Sequence, residues 1–251
     1  MKKHIPDLIT LANLFFGCCA IICVLYAAPM SAFWFLVAAF VADGLDGQVA
    51  RILNTSSKLG KELDSIADTV SFAVAPGMII YVLLCKSFAM SGDWARYTQD
   101  GTGVVLPALA AFIVSAAGGY RLAKYNVDTR QSDKFIGVPT PANTIFVAGL
   151  LLIYTHNPIL FGVELGDKLL NPYLLFSLIP VLAYWQIAEI PLMNFRVNGF
   201  GLVENKFRYL YLVLVLLSFI LLKEVAVSLI TVLYVLVSIL ENALVEKIEA
   251  V

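Results

Sequence analysis

Eight apolar stretches follow one another along this chain with only short polar breaks, and that succession decides the solvent in which it folds. They fall near residues 8–28, 31–53, 60–84, 104–125, 142–154, 173–190, 209–222 and 225–240, the fifth being the shortest. A helix needs roughly 20 apolar residues to cross a bilayer, and a spanning segment must satisfy its own backbone hydrogen bonds. The pattern therefore predicts an all-α integral membrane protein: a bundle of six core helices plus a C-terminal pair, eight spans in all. With 60% of 251 residues hydrophobic and 14% charged, no stretch is left over for a separate soluble domain. The expected division is a transmembrane domain at 1–206 and a helical hairpin with a short tail at 207–251, the hairpin turning at Lys223 and Glu224. The first run follows Met-Lys-Lys but is long and passes straight into the second after Pro29, so it reads as a retained helix and not a cleaved leader.

Charge fixes an expected orientation. With both termini inside, Lys2, Lys3, Arg51, Lys58, Lys61, Arg121, Lys124, Arg130, Lys134, Arg196, Lys206, Arg208 and Lys247 fall on the cytoplasmic side, and only Lys86, Arg96, Lys168 and Lys223 fall outside. The expected location is the inner (cytoplasmic) membrane, multi-pass. A net charge of −1 without blocks of like charge argues against nucleic acid as a partner. Cys18, Cys19, Cys23 and Cys85 lie inside apolar runs without metal-ligand spacing, and His4 and His156 are far apart, so neither a zinc site nor a Ser/His/Asp triad finds its residues. Carboxylates must carry any chemistry.

They are concentrated in one place. Asp43 and Asp46 are three residues apart near the end of the second run, and Asp64 and Asp68 are four apart near the start of the third. On helices each pair shares a face, and a short turn lets the two faces meet. Any one of these aspartates is as readily a solvated helix end, but four in register within adjacent spans point to function. Four carboxylates in an apolar setting repel unless something positive neutralises them. Hard oxygen ligands favour Mg²⁺, Mn²⁺ or Ca²⁺ over zinc, and two ions about 4 Å apart are the arrangement used on phosphate esters. Gly47 and Ala50 pare down the same helix face, and Arg51 offers a donor to phosphate oxygens, although a topology anchor is an equally good account of that arginine by itself.

The stretch Asp43-Gly-Leu-Asp46-Gly47-Gln-Val-Ala50-Arg51, followed after eight residues by Gly60-Lys-Glu-Leu-Asp64-Ser-Ile-Ala-Asp68, resembles the signature of the CDP-alcohol phosphotransferase family at every fixed position. The resemblance implies a six-helix core with a cytoplasm-facing cavity, metal on Asp43, Asp46, Asp64 and Asp68, a CDP-lipid donor and a homodimer. It also implies CDP-lipid contacts from Gly47, Ala50, Arg51, Ser57 and Gly60, with Thr10 and Asn13 from the first helix. Asp68 becomes the general base that activates the acceptor hydroxyl. The segments Arg121-Leu-Ala-Lys-Tyr-Asn126 and Phe135-Ile-Gly137-Val-Pro139-Thr-Pro141-Ala-Asn143 resemble bacterial members that use L-serine as acceptor, with Lys124-Tyr125-Asn126 where Arg-Phe-Asn is usual and Pro6-Asp7 where Pro-Asn is usual. Arg121, Lys124 and Asn126 are thus the candidate acceptor-binding residues and CDP-diacylglycerol the expected donor. Arg121 and Lys124 also serve as topology anchors, and Pro139 and Pro141 as simple helix starters.

The nearest alternative is the same reaction with glycerol 3-phosphate or an inositol phosphate, which requires extra cationic residues. A membrane prenyltransferase would place its two aspartate motifs far apart in the chain. An ion transporter would not need the Gly, Ala and Arg spacing.

Overall fold

Why the carboxylates can meet is settled by the first three helices. The computed structural model describes residues 4–55, 57–92, 104–128, 135–194, 201 and 205–249. Helix α1, Ile5–Leu25, starts on Pro6 and ends in a tight turn at which Ala27 takes a positive φ of 57°. Helix α2, Pro29–Ile52, runs back against it, proline again occupying the first turn, where its missing N–H costs nothing. The chain then reverses through Asn54, also left-handed at φ 50°, with the Thr55 N–H closing on the Ala50 carbonyl at 3.0 Å. The Ser57 hydroxyl caps the next helix by accepting from the Gly60 N–H at 2.9 Å. Helix α3 is one rod, Lys58–Met90, in which α-helix at Lys58–Asp68 gives way to a π-helical stretch at Thr69–Val74 and resumes at Ala75–Met90.

Helix α4, Leu106–Val127, opens with a 3₁₀ stretch at Leu106–Ala111. A two-residue strand β1, Phe135–Ile136, precedes α5, Thr140–His156, whose first turn holds Pro141. Strands β2, Ile159–Leu160, and β3, Val163–Glu164, make a small hairpin before the short α6, Leu165–Leu169, and then α7, Pro172–Ile187, capped by the Asn171 side chain. Strand β4, Pro191–Leu192, returns to pair antiparallel with β1, and α8, Lys206–Leu222, and α9, Val225–Glu249, close the chain.

The protein is mostly helical, and every expected apolar run is a helix. Among the described residues five helices, α1 to α4 and α9, are long and apolar enough to cross a membrane, and α7 is a shorter apolar helix. Eight spans therefore stay an expectation. The third run extends past Lys86, expected in a loop, because nothing interrupts the helix before Gly92 at φ 76°. The two small β ladders were not expected either: each is two residues long, too short for any alternation to register. Of the cations used for orientation, Lys2, Lys3, Arg96, Arg130, Lys134 and Arg196 lie outside the described residues, as does the side chain of Lys247.

The main core joins α1, α2, α3, α4, α5 and α7, with Ile79, Leu83, Leu84, Leu151, Leu175 and Leu182 sealed inside it. A second cluster, Val138, Leu192, Met193, Phe207, Tyr234 and Val237, ties the β1–β4 pair to the last two helices. Helix α9 is further bound by side-chain donors to backbone: Ser228 to the Phe146 carbonyl at 2.9 Å, Thr231 to Ala142 at 2.7 Å and Tyr234 to Met193 at 2.8 Å. Such bonds hold helices together where lipid offers no hydrophobic drive.

At one crossing there is no room for a side chain. A Cβ on Gly17 of α1 would lie 2.9 Å from Ser71 Cα in the π-helical stretch of α3. The expected outcome for Gly17→Val is a loss of about 1–3 kcal/mol, the usual cost of overpacking, read as a lowered unfolding temperature in detergent. An unchanged midpoint would mean that α1 does not sit against α3 in this way.

Candidate active site

The turn at residues 53–57 sets the end of α2 beside the start of α3, and carboxylates from both converge. One oxygen each of Asp43, Asp64 and Asp68 can be chosen so that all lie within 4.8 Å of one another. All three side chains are half-buried. Among the described residues no lysine or arginine lies within ion-pairing distance of them. Three hard oxygen donors at this separation, without a protein cation to balance them, are a donor set suited to a divalent ion of the Mg²⁺ or Mn²⁺ kind.

Asp46 does not join that trio. Three residues along a helix turn the side chain about 60° from its predecessor, and here that rotation aims Asp46 at α1. Its carboxylate accepts the Thr10 hydroxyl at 2.5 Å, and both residues are buried. Helix α1 also reaches Asp68, whose Oδ1 accepts from Asn13 Nδ2 at 3.1 Å. Asn13, with no exposed surface, is itself held by Ser71, which donates to its carbonyl at 3.0 Å. Two buried polar residues of α1 thus each hold one aspartate, and the π-helical stretch carrying Ser71 begins directly after Asp68. π-Helical turns recur at functional sites because they re-aim side chains within a continuous helix.

Beside the carboxylates lies a cavity of about 480 Å³. Thr10, Asp46, Gly47, Ala50, Ser57, Gly60 and Asp64 line it, together with Pro6, Asp7, Thr55, Lys58 and Lys61. Gly47 faces it with nothing within 4 Å of where a Cβ would be. Gly60 is under tighter constraint, since a Cβ there would come within 3.1 Å of Asp7 Oδ1 and 3.2 Å of Ser57 Oγ. Arg51 is exposed and donates from Nε to the Gly47 carbonyl at 3.0 Å, off the cavity wall. Thr55, Lys58 and Lys61 escaped the sequence reading, which used the two lysines only as topology anchors. Their signal was available: Thr55 and Lys58 stand in the spacer between the two halves of the aspartate pattern and Lys61 just beyond it, with Lys58 and Lys61 three residues apart on one face of α3.

The three acceptor-side candidates part company. Arg121 is 7% exposed, its Nε has no hydrogen-bond partner, and its guanidinium lies 5.7 Å from the Tyr125 ring centroid. Lys124 is exposed enough to pair with Glu189 at 2.8 Å, and Asn126 donates to Ser65 Oγ at 2.8 Å across to α3. The Phe135–Asn143 segment has a structural task. Gly137, at φ 74°, lets the chain pass where a Cβ would be 2.7 Å from the Gln186 carbonyl oxygen, and Asn143 Oδ1 accepts from Trp185 Nε1 at 3.0 Å. Nothing is described of the Phe135 side chain.

Residues 3–187 match the model of a protein family described as CDP-alcohol phosphatidyltransferase. Among curated proteins, the chain is 33% identical over 215 residues to the CDP-diacylglycerol–serine O-phosphatidyltransferase of Helicobacter pylori, covering 85% of this chain and 79% of that protein. It is 37% identical over 164 residues to the protein of the same name from Bacillus subtilis, covering 64% and 81%, and 29% identical over 178 residues to that of Methanocaldococcus jannaschii, covering 71% and 67%.

Proposed function

Because this chain belongs to the CDP-alcohol phosphatidyltransferase family, we propose that it transfers the phosphatidyl group of CDP-diacylglycerol to the hydroxyl of L-serine, giving phosphatidylserine and CMP. The observation that carries this reading is the convergence of Asp43, Asp64 and Asp68, of which Asp64 stands on the wall of a cavity that Asp46, Gly47, Ala50 and Gly60 of the family's sequence pattern also line. Serine as acceptor is supported by the names of three relatives from distant organisms and by a buried Arg121 whose Nε has no hydrogen-bond partner and whose guanidinium suits a carboxylate.

The donor's cytidine diphosphate enters the cavity between α1, α2 and α3. Gly47 and Ala50 leave room on α2, Ser57 and Gly60 shape the α3 entrance, and Lys58 and Lys61 place positive charge for the pyrophosphate. Asp43, Asp64 and Asp68 would hold a divalent ion, Mg²⁺ or Mn²⁺, with Asp46 beside them for a second. Such ions neutralise charge on the pyrophosphate and on the departing CMP. Asp68 takes the proton from the serine hydroxyl, whose oxygen then attacks the phosphorus bearing diacylglycerol in line. Asn13 fixes the Asp68 carboxyl by donating to Oδ1, so the other oxygen is available to the acceptor. Thr10 does the same for Asp46. The cytoplasmic placement of the site and termini, the eight spans, the separate C-terminal hairpin and a homodimer complete the reading, on the charge asymmetry and the family likeness.

The test is CMP release by purified protein in detergent with CDP-diacylglycerol and a panel of acceptors. Serine is expected to give labelled phosphatidylserine. Product from glycerol 3-phosphate or an inositol phosphate, with none from serine, would overturn the acceptor while leaving the reaction class. Release of pyrophosphate, or ion flux without lipid turnover, would overturn the reaction class itself.

A further inference from the structure

One buried polar side chain next to Arg121 has no part in the scheme above. Gln186, near the end of α7, is 1% exposed. Its Nε2 donates to the Leu182 carbonyl of its own helix at 2.8 Å, which turns Oε1 outward, and that oxygen has no hydrogen-bond partner. It points at α4: a Cβ on Gly118 would stand 3.2 Å from Oε1. Gly118 and Arg121 are three residues apart, on one helix face and about 4.5 Å apart along the axis.

The register between α3 and α4 puts both groups along the stretch of α3 that leads away from the reacting carboxylate. The two helices are antiparallel, with Asn126 against Ser65 and Gly118 against Ala73. Arg121 falls between these contacts, opposite the stretch that follows Asp68. A cation whose Nε has no hydrogen-bond partner and a carbonyl oxygen that has none, both on residues more than nine-tenths buried, therefore face the stretch of α3 that follows Asp68. Unmatched buried groups of this kind are costly unless a ligand matches them. They do not bond to one another, and they are complementary to the two ends of an α-amino acid.

Building on the serine reading, we infer that Gln186 is the specificity residue for the acceptor's amino group: its Oε1 accepts from the ammonium while Arg121 holds the carboxylate. Together they present the hydroxyl to Asp68. The pair selects a zwitterion, because an acceptor lacking either charge leaves one of the two groups unmatched. Gly118 is glycine because a side chain there would meet Ala73 and occupy the space beside Oε1.

The experiment measures kcat/KM at saturating CDP-diacylglycerol for L-serine, for 3-hydroxypropionate, which lacks the ammonium, and for ethanolamine, which lacks the carboxylate. The wild type is expected to prefer serine over both by at least roughly tenfold. Gln186→Met is expected to lower kcat/KM for serine about 10- to 100-fold, mostly through KM, while 3-hydroxypropionate changes less than about twofold. Gln186→Asn, which keeps the carbonyl, should fall between. An unchanged KM for serine, or an equal loss for serine and 3-hydroxypropionate, overturns the assignment. So does a wild type that uses 3-hydroxypropionate as readily as serine, which decides the matter even if the variants do not fold. A wild type that turns over glycerol 3-phosphate but not serine sinks the acceptor reading as well, whereas serine turnover with an indifferent Gln186→Met sinks this inference alone.

Discussion

Asp68→Asn is expected to reduce CMP release from CDP-diacylglycerol by at least about 10³-fold while the protein inserts, purifies and melts much as the wild type does. A positioned general base is typically worth 10²- to 10⁴-fold, and this substitution also takes one charged ligand from the carboxylate trio. The fold should tolerate it. Asparagine has the same shape and keeps an oxygen where Oδ1 accepts from Asn13, and the helix and π-helical stretch on either side owe nothing to the charge. The comparison that isolates the role is Asn13→Ala, which leaves the carboxylate but removes its 3.1 Å donor. If Asp68 is the base and Asn13 only orients it, the Asn13 variant loses far less. Turnover by Asp68→Asn within tenfold of wild type would remove Asp68 from the proton transfer and direct attention to Asp43 or Asp64, which share its cluster.

How far the site could be read from sequence depends on the distance over which each feature is determined. The Asp43, Asp46, Asp64 and Asp68 pattern is local: a three-residue and a four-residue spacing on two helices joined by a short turn. Helical periodicity alone brought three of the four together. The departure of Asp46 toward Thr10 needs the position of α1, thirty-six residues earlier in the chain, and no spacing within α2 reports it. Thr10 and Asn13 were legible only through family likeness, since a lone threonine or asparagine in an apolar helix is commonly satisfied by its own backbone, as the Thr10 bond to the Pro6 carbonyl illustrates. Gln186 was not legible at all. Its environment is made by α4 and by the β1 segment, and a glutamine near a helix end is ordinarily solvated. The π-helical stretch, by contrast, has a local signal: Pro76 follows it by two residues, lacks the N–H that would bond the Phe72 carbonyl in an α-helix, and crowds that carbonyl. Conversely, Lys124 and Asn126 looked equal to Arg121 in sequence, and only the burial of Arg121 separates them.

Asp43→Asn should make the metal-free protein more stable and the enzyme inactive. Three carboxylates whose oxygens lie within 4.8 Å of one another repel. Two unit charges at that separation cost about 3 kcal/mol at an effective dielectric constant of 20, and proton uptake by the cluster relieves part of that, so removing one member of the trio is worth at most on the order of 1–3 kcal/mol, most of it at high pH where all three are ionised. For a chain of this length that corresponds to several degrees in unfolding temperature. The wild type should recover the deficit on adding Mn²⁺ or Mg²⁺, because a ligand that binds only the folded state stabilises it by about 2.7 kcal/mol at a hundred times its dissociation constant. Asp43→Asn, with a donor lost, should respond weakly or not at all. The two melting curves are then expected to cross: the variant higher in chelator, the wild type higher in cation. A wild type indifferent to both cations would mean that the trio does not bind them, and a variant that melts lower in chelator would mean that Asp43 contributes more through packing than it costs through charge. The crossing, if found, identifies the repulsion as a cost retained for catalysis, since a sequence selected for stability alone would not keep three unbalanced carboxylates on facing helices.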